Sequence, residues 1–101
     1  MKQNTNTTDV IFRKEQDGKI LAVFPYELFN GKGNPTCYSH IGQHSSCDYH
    51  GYVLTKTTPA TETEAQPLKR ELENYCGYRL NIVRRMNRDR YRRAYMAINK
   101  L

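Results

Sequence analysis

Tryptophan is absent from these 101 residues, and only 38% of the side chains are hydrophobic. A core must therefore be built from Tyr, Phe, Leu, Ile and Val, and the length allows one modest core in a single domain. No apolar run approaches the roughly 18 residues that a membrane span needs. The opening stretch MKQNTNTT has no apolar segment of the secretory kind. Residues 1–8 are expected to form a flexible polar leader, residues 9–101 the domain, and the cytoplasm to be the location. Cysteine is scarce and odd in number, at three. A secreted disulfide framework favours even counts, so the thiols are expected to be reduced. Acid is nearly missing from one end. Residues 79–101 carry Arg79, Arg84, Arg85, Arg88, Arg90, Arg92, Arg93 and Lys100 against Asp89 alone, a net of +7, whereas residues 1–78 sum to −1. A near-neutral body with a cationic end points to an anionic partner: nucleic acid, an acidic protein face or a lipid surface.

What the chain does contain is concentrated in Cys37 to His50, CYSHIGQHSSCDYH. All three histidines (His40, His44, His50), two cysteines (Cys37, Cys47) and Asp48 fall within these fourteen residues. Such side chains coordinate metals, move protons or attack electrophiles. Three readings follow. Cys37-x-x-His40 and Cys47-x-x-His50 form two short ligand pairs, the number a tetrahedral structural zinc requires. Alternatively, His40 and His44 act as a proton-transfer pair oriented by Asp48, as in a small basic ribonuclease with arginines stabilising the transition-state charge. In the third, which is preferred, histidine and Gln43 hydrogen-bond turn backbone, Gly42 supplies a bend, and the cysteines are small buried residues. No cofactor is expected; zinc is the alternative.

Asp9 to Phe24 reads as a β-hairpin about Asp17-Gly18, a pair suited to a tight type I′ loop. That loop sets Val10, Phe12, Leu21 and Val23 on one face, and Ile11, Arg13, Glu15, Ile20, Ala22 and Phe24 on a mixed opposite face. The sheet is thus expected to be covered mainly on one side. Pro25 should end the strand, and Tyr26 to Pro35 should be loop. Thr36 to Ile41 and Asp48 to Thr55 read as strands joined by a loop from Gly42 to Cys47. Thr61-Glu62-Thr63-Glu64 resembles a capping box opening a helix, with Pro67 bending or restarting it and Gly77 ending it. Tyr78 to Arg84 reads as a fifth strand. Asn87 caps a last helix whose Tyr91, Ala94, Tyr95, Ile98 and Leu101 form one buried stripe. The order ββββαβα gives an α+β fold: a mainly antiparallel sheet of about five strands with two helices on one face.

The segments VIFRK, the Asp17-Gly18 turn, AVFP, SHIGQH, DYHGYV, ATETEAQPLKRELE and GYRLNIVRR, with the Arg-rich end, resemble a family of small proteins associated with bacteriophages and mobile elements of gut bacteria. The family has no assigned activity, so the resemblance implies a mobile-element origin and nothing about chemistry. His40, Gly42, Gln43, His44 and Asp48-Tyr49 match its most distinctive motif, while Cys47 and His50 depart from it.

Six arginines lie between Arg84 and Arg93, with no lysine among them. Arginine makes planar bidentate contacts to phosphate and carboxylate. The expectation is a small basic protein that binds rather than catalyses. Arg84, Arg85, Arg88, Arg90, Arg92 and Arg93 would contact nucleic-acid phosphates, with an inhibitor or adaptor docking on an acidic protein face as the alternative.

Overall fold

Strands β1 (Thr8–Lys14) and β2 (Ile20–Phe29) form the antiparallel hairpin on which the rest of the chain packs. The computed structural model describes residues 7–29, 33–39 and 43–98. Most of the expected leader, His40, the bend at Gly42, Lys100 and Leu101 lie outside the described residues. The chain continues with β3 (Asn34–Ser39), β4 (Gln43–Ser46), a π-helical turn over Tyr49–Val53, α1 (Leu54–Lys56), β5 (Thr58–Pro59), α2 (Glu62–Asn74), β6 (Leu80–Ile82) and α3 (Arg88–Ile98). The fold is α+β. The strands lie in the order β4-β3-β2-β1-β5, all antiparallel, and β6 joins the same edge of the sheet by pairing parallel to β1.

The hairpin turns over three residues rather than two. Glu15 and Lys19 close it through a backbone bond of 2.8 Å, and Gly18 bonds back to the Glu15 carbonyl with a φ of 93°. This is a turn followed by a left-handed glycine, which adds one residue to the loop. The pairing is therefore Ile11 with Val23 and Phe12 with Ala22. A shift of one residue exchanges the faces of a whole strand. Val10 and Phe12 share their side with Ala22 and Phe24, while Ile11 lies with Leu21 and Val23, which corrects the expected partition.

Both faces are consequently apolar, and both are covered. Ala65, Leu68 and Leu72 of α2 pack on Val10, Phe12, Ala22, Phe24 and Tyr38. Tyr49 and Val53 of the π turn pack on Ile11, Leu21, Val23 and Cys37. The segment from Asp48 to Thr55, expected as a strand, is helical. Asp48 caps it by accepting from Gly51 N–H at 3.0 Å. Buried Arg13 holds its far end, donating from Nη2 to the carbonyls of Val53 at 3.1 Å and Thr57 at 2.8 Å, and from Nε to Thr57 Oγ1 at 2.9 Å. A cation over the last carbonyls of a helical turn stabilises that turn.

Pro25 does not end β2. The β2–β3 register jumps between Phe24 and Leu28, so Pro25, Tyr26 and Glu27 oppose no residue on β3. Proline is tolerated in such a bulge because its missing N–H is not needed there. The fourth strand, β4, occupies residues expected as loop, and β6 is shorter than expected.

The capping box of α2 is present in both directions, Glu64 N–H to Thr61 Oγ1 at 3.1 Å and Thr61 N–H to Glu64 at 2.9 Å. The helix runs through Pro67 without restarting there. Its thirteen residues span about 20 Å, close to the length of β1, and return the chain to the start of that strand. That return is why β6 pairs parallel to it. Gly77, with a φ of 76°, turns the chain so that Tyr78 N–H reaches the Leu72 carbonyl at 3.1 Å.

Helix α3 has its Asn87 cap, which accepts from Arg90 N–H at 2.9 Å. Its apolar stripe is not buried, however: Tyr95 is 42% and Ile98 45% exposed. The core therefore sits under α2 and the π turn, not under α3. Leu72→Ala should lower stability by about 2–5 kcal/mol, and Ile98→Ala by less than about 1 kcal/mol. Thermal and urea melts of the two variants check this ranking.

Candidate anion-binding surface

The β2 bulge positions the arginine-bearing helix. By leaving the ladder, Tyr26 places its hydroxyl at the start of α3, where it accepts from Asn87 N–H at 2.7 Å. The Arg90 guanidinium lies 4.3 Å from the centre of the same ring. Such a cation over a tyrosine face is attracted by the ring quadrupole. Arg90 Nη1 also donates to buried Asp9 at 2.6 Å, and Asn81 of β6 donates to the other Asp9 oxygen at 3.0 Å. On the next turn, Tyr91 donates to the Gly33 carbonyl at 2.6 Å, and its ring stacks with that of Tyr95. Helix α3 is thus seated by tyrosine hydroxyls and one ion pair rather than by an apolar stripe.

This seating divides the six arginines. Arg90 is engaged with Asp9 and Tyr26. Arg84, Arg85, Arg88, Arg92 and Arg93 are exposed, and none has an ion pair or hydrogen bond among the described residues. Arg88 and Arg92, four apart, share one side of α3. Arg84 and Arg85 follow β6 and border a groove of about 800 Å³ floored by Ile11, Phe12, Ile82 and Val83. Arg79 is likewise exposed.

The His/Cys stretch is split by the sheet. His44 faces α2, opposite Tyr38 in the register, with its ring 4.8 Å from the Tyr38 ring and Nε2 3.2 Å from the Tyr78 hydroxyl. Cys37 points to the other face, and Cys47 packs against that same cluster. Asp48 is engaged as the cap of the π turn, so it does not meet His44. His50 is exposed at the outside of that turn, edge-on to Tyr49. His40 lies outside the described residues, so the proposed acid–base pair and the fourth zinc ligand are not placed. Among the described residues no three metal-binding side chains converge.

Several groups are shifted by these contacts. Burial raises the Tyr38 hydroxyl, which donates to Glu71. Burial also raises the Glu27 carboxyl, and nearby His44 partly offsets it. The neighbouring Cys47 thiol brings the Cys37 thiol down to about 7, with burial opposing and Ser45 assisting. The same contact pushes the Cys47 thiol up.

Three residues essential to this arrangement were hidden in the sequence. Asp9 and Tyr26 stand in no motif, Arg13 falls in VIFRK with no role assigned to it, and only an acid and a basic residue inside an apolar strand hinted at buried partners.

Gly33 tests the seating of α3. Its φ is 86°, and a Cβ there would lie 2.9 Å from both the Tyr91 hydroxyl and Tyr95 Cε1. Gly18 has a similar φ of 93° but open space around it. Gly18→Ala should cost about 1 kcal/mol for the backbone alone. Gly33→Ala should cost about 1–3 kcal/mol more and speed amide exchange along α3. Equal costs for the two variants would mean that the tyrosines do not seat the helix there.

Compared with known proteins, the chain matches no family model, no curated protein and no solved structure.

Proposed function

We propose that this is a small basic binding protein that contacts nucleic-acid phosphates through Arg84, Arg85, Arg88, Arg92 and Arg93. The observation that carries the reading is that these five guanidinium groups are exposed and without counter-ions among the described residues. An unpaired arginine keeps its bidentate donors for an external oxyanion. Arg90 has a different part in it, holding α3 against β1 through Asp9. A fixed helix presents Arg88 and Arg92 as a preorganised pair, which lowers the ordering cost of binding. The separation of His44 from Asp48 by the sheet favours binding over catalysis. The role of a bacteriophage or mobile-element accessory belongs to the same proposal and rests on the sequence resemblance.

Salt titration of binding to duplex DNA and to RNA is the test. Each phosphate neutralised on duplex DNA adds about 0.9 to the slope of log K against log salt, so four to five contacts give roughly −3.6 to −4.5. Arg92→Gln with Arg93→Gln should reduce the slope by about 2 and leave the melting temperature unchanged. Arg90→Gln should lower the melting temperature instead. Absence of binding at low salt sinks the nucleic-acid reading. Capture of an acidic protein, lost in the same double variant, would then support the adaptor reading.

A further inference from the structure

A second group of reactive side chains lies on the π-turn face of the sheet, away from His44. A cavity of about 390 Å³ opens there, bordered by Glu15, Lys19, Cys37, Ser45, Cys47 and Asp48. Two thiols line it: Cys37 of β3, 4% exposed, and the half-buried Cys47 just after β4. The β3–β4 register sets Cys37 opposite Ser45, and Cys47 comes two residues later, so the pleat turns both side chains to one side. A backbone bond from Cys47 N–H to the Pro35 carbonyl, 2.9 Å, fixes this diagonal placement. Cys37 Sγ lies 3.6 Å from Ser45 Oγ, and Cys47 Sγ donates to the Pro35 carbonyl at 3.7 Å. Cys47 follows the last residue of β4, where the chain is held by a strand on one side only. Cys76 is exposed beyond the end of α2 and belongs to neither thiol's surroundings.

We propose that Cys37 and Cys47 form a peroxide-reactive dithiol, with Cys37 as the attacking sulfur and Cys47 as the resolving one. The Cys37 thiolate attacks one oxygen of hydrogen peroxide, the O–O bond breaks, and the departing hydroxide takes up a proton to leave as water. Cys37 is then a sulfenic acid. The Cys47 sulfur attacks it, the S–O bond breaks, and a second water leaves with the Cys47 proton. Two thiols thus lose two electrons to the peroxide and gain one disulfide. The contacts set this order: the Ser45 hydroxyl lies within donating reach of Cys37 Sγ, whereas Cys47 keeps its proton directed at the Pro35 carbonyl. The shifts run the same way, with Cys37 held near 7 and Cys47 pushed up. The attacking species is the thiolate, so oxidation should accelerate as the pH rises through about 7. The other groups facing the cavity are Glu15, whose carboxylate accepts from Tyr52, with Lys19 and Asp48. The product would tie the middle of β3 to the residue entering the π turn.

The reduced full chain is treated with one equivalent of hydrogen peroxide, the remaining thiols are alkylated, and the tryptic peptides are weighed. Cys37 and Cys47 share the segment between Lys32 and Lys56, and Cys76 falls in another. The expected product is the shared segment unalkylated and lighter by two hydrogen atoms, formed severalfold faster than any oxidation of Cys76. In Cys47→Ser, Cys37 should instead accumulate as a sulfenic acid trapped by dimedone. In Cys37→Ser, Cys47 should stay reduced at the same dose. The proposal is overturned if wild-type protein alkylates at both Cys37 and Cys47 while Cys76 is consumed. It is equally overturned if Cys47 is oxidised as fast in Cys37→Ser as in the wild type.

Discussion

Asp9 sits on β1 with its side chain only 6% exposed, and its two oxygens bind two different parts of the chain. One accepts from Asn81 of β6 and the other from Arg90 of α3. A buried carboxylate is costly unless it is paired and hydrogen-bonded, so both partners are required once Asp9 is inside. This demand fixes where β6 joins the sheet and how α3 approaches it. It also decides which arginine belongs to the fold. Arg90 answers the buried charge and stacks over Tyr26, and the neighbouring arginines have no such partner among the described residues.

Arg13 shows the same principle on the π-turn face. Its guanidinium is buried at the end of β1 and bonded to the carbonyls of Val53 and Thr57. Those carbonyls end a helical turn, and a cation there satisfies groups that would otherwise be orphaned. With Asp48 capping the other end, the chain from Tyr49 to Lys56 coils instead of extending. The coil delivers Tyr49 and Val53 to a sheet face that would otherwise be bare, and Tyr49 accepts from Met86 N–H at 3.1 Å to tether the segment before α3.

What could be read from the sequence was local chemistry. The Thr61–Glu64 capping box, the Gly77 turn and the Asn87 cap each depend on residues within one turn, and each appears as expected. The strand faces depended on one loop residue. Asp17-Gly18 signals a turn, but the added residue in the loop reverses which β2 side chains accompany Phe12. Asp48 to Thr55 misleads because its tyrosines and valine suit a strand, while the buried cation that holds its far end, Arg13, lies 40 residues from Val53. Pro25 misleads because the bulge that accommodates it is defined by β3 and α3, not by its neighbours. At the candidate surface the arginines themselves were legible. Their division into one paired residue and five without an ion pair among the described residues required Asp9, which is 81 positions from Arg90.

The fold thus separates held from unheld charge: tyrosines and Asp9 hold α3 through Arg90, and the arginines around it have no ion pair among the described residues. A double-mutant cycle between Asp9 and Arg90 tests that separation most directly. Asp9→Asn, Arg90→Gln and the double variant are compared by chemical unfolding, with DNA affinity measured on the same samples. The account predicts a coupling of about 1–3 kcal/mol in stability, with the double variant still binding DNA whenever α3 remains folded. Additive stability losses, or binding abolished by Arg90→Gln in a fully folded protein, would contradict it.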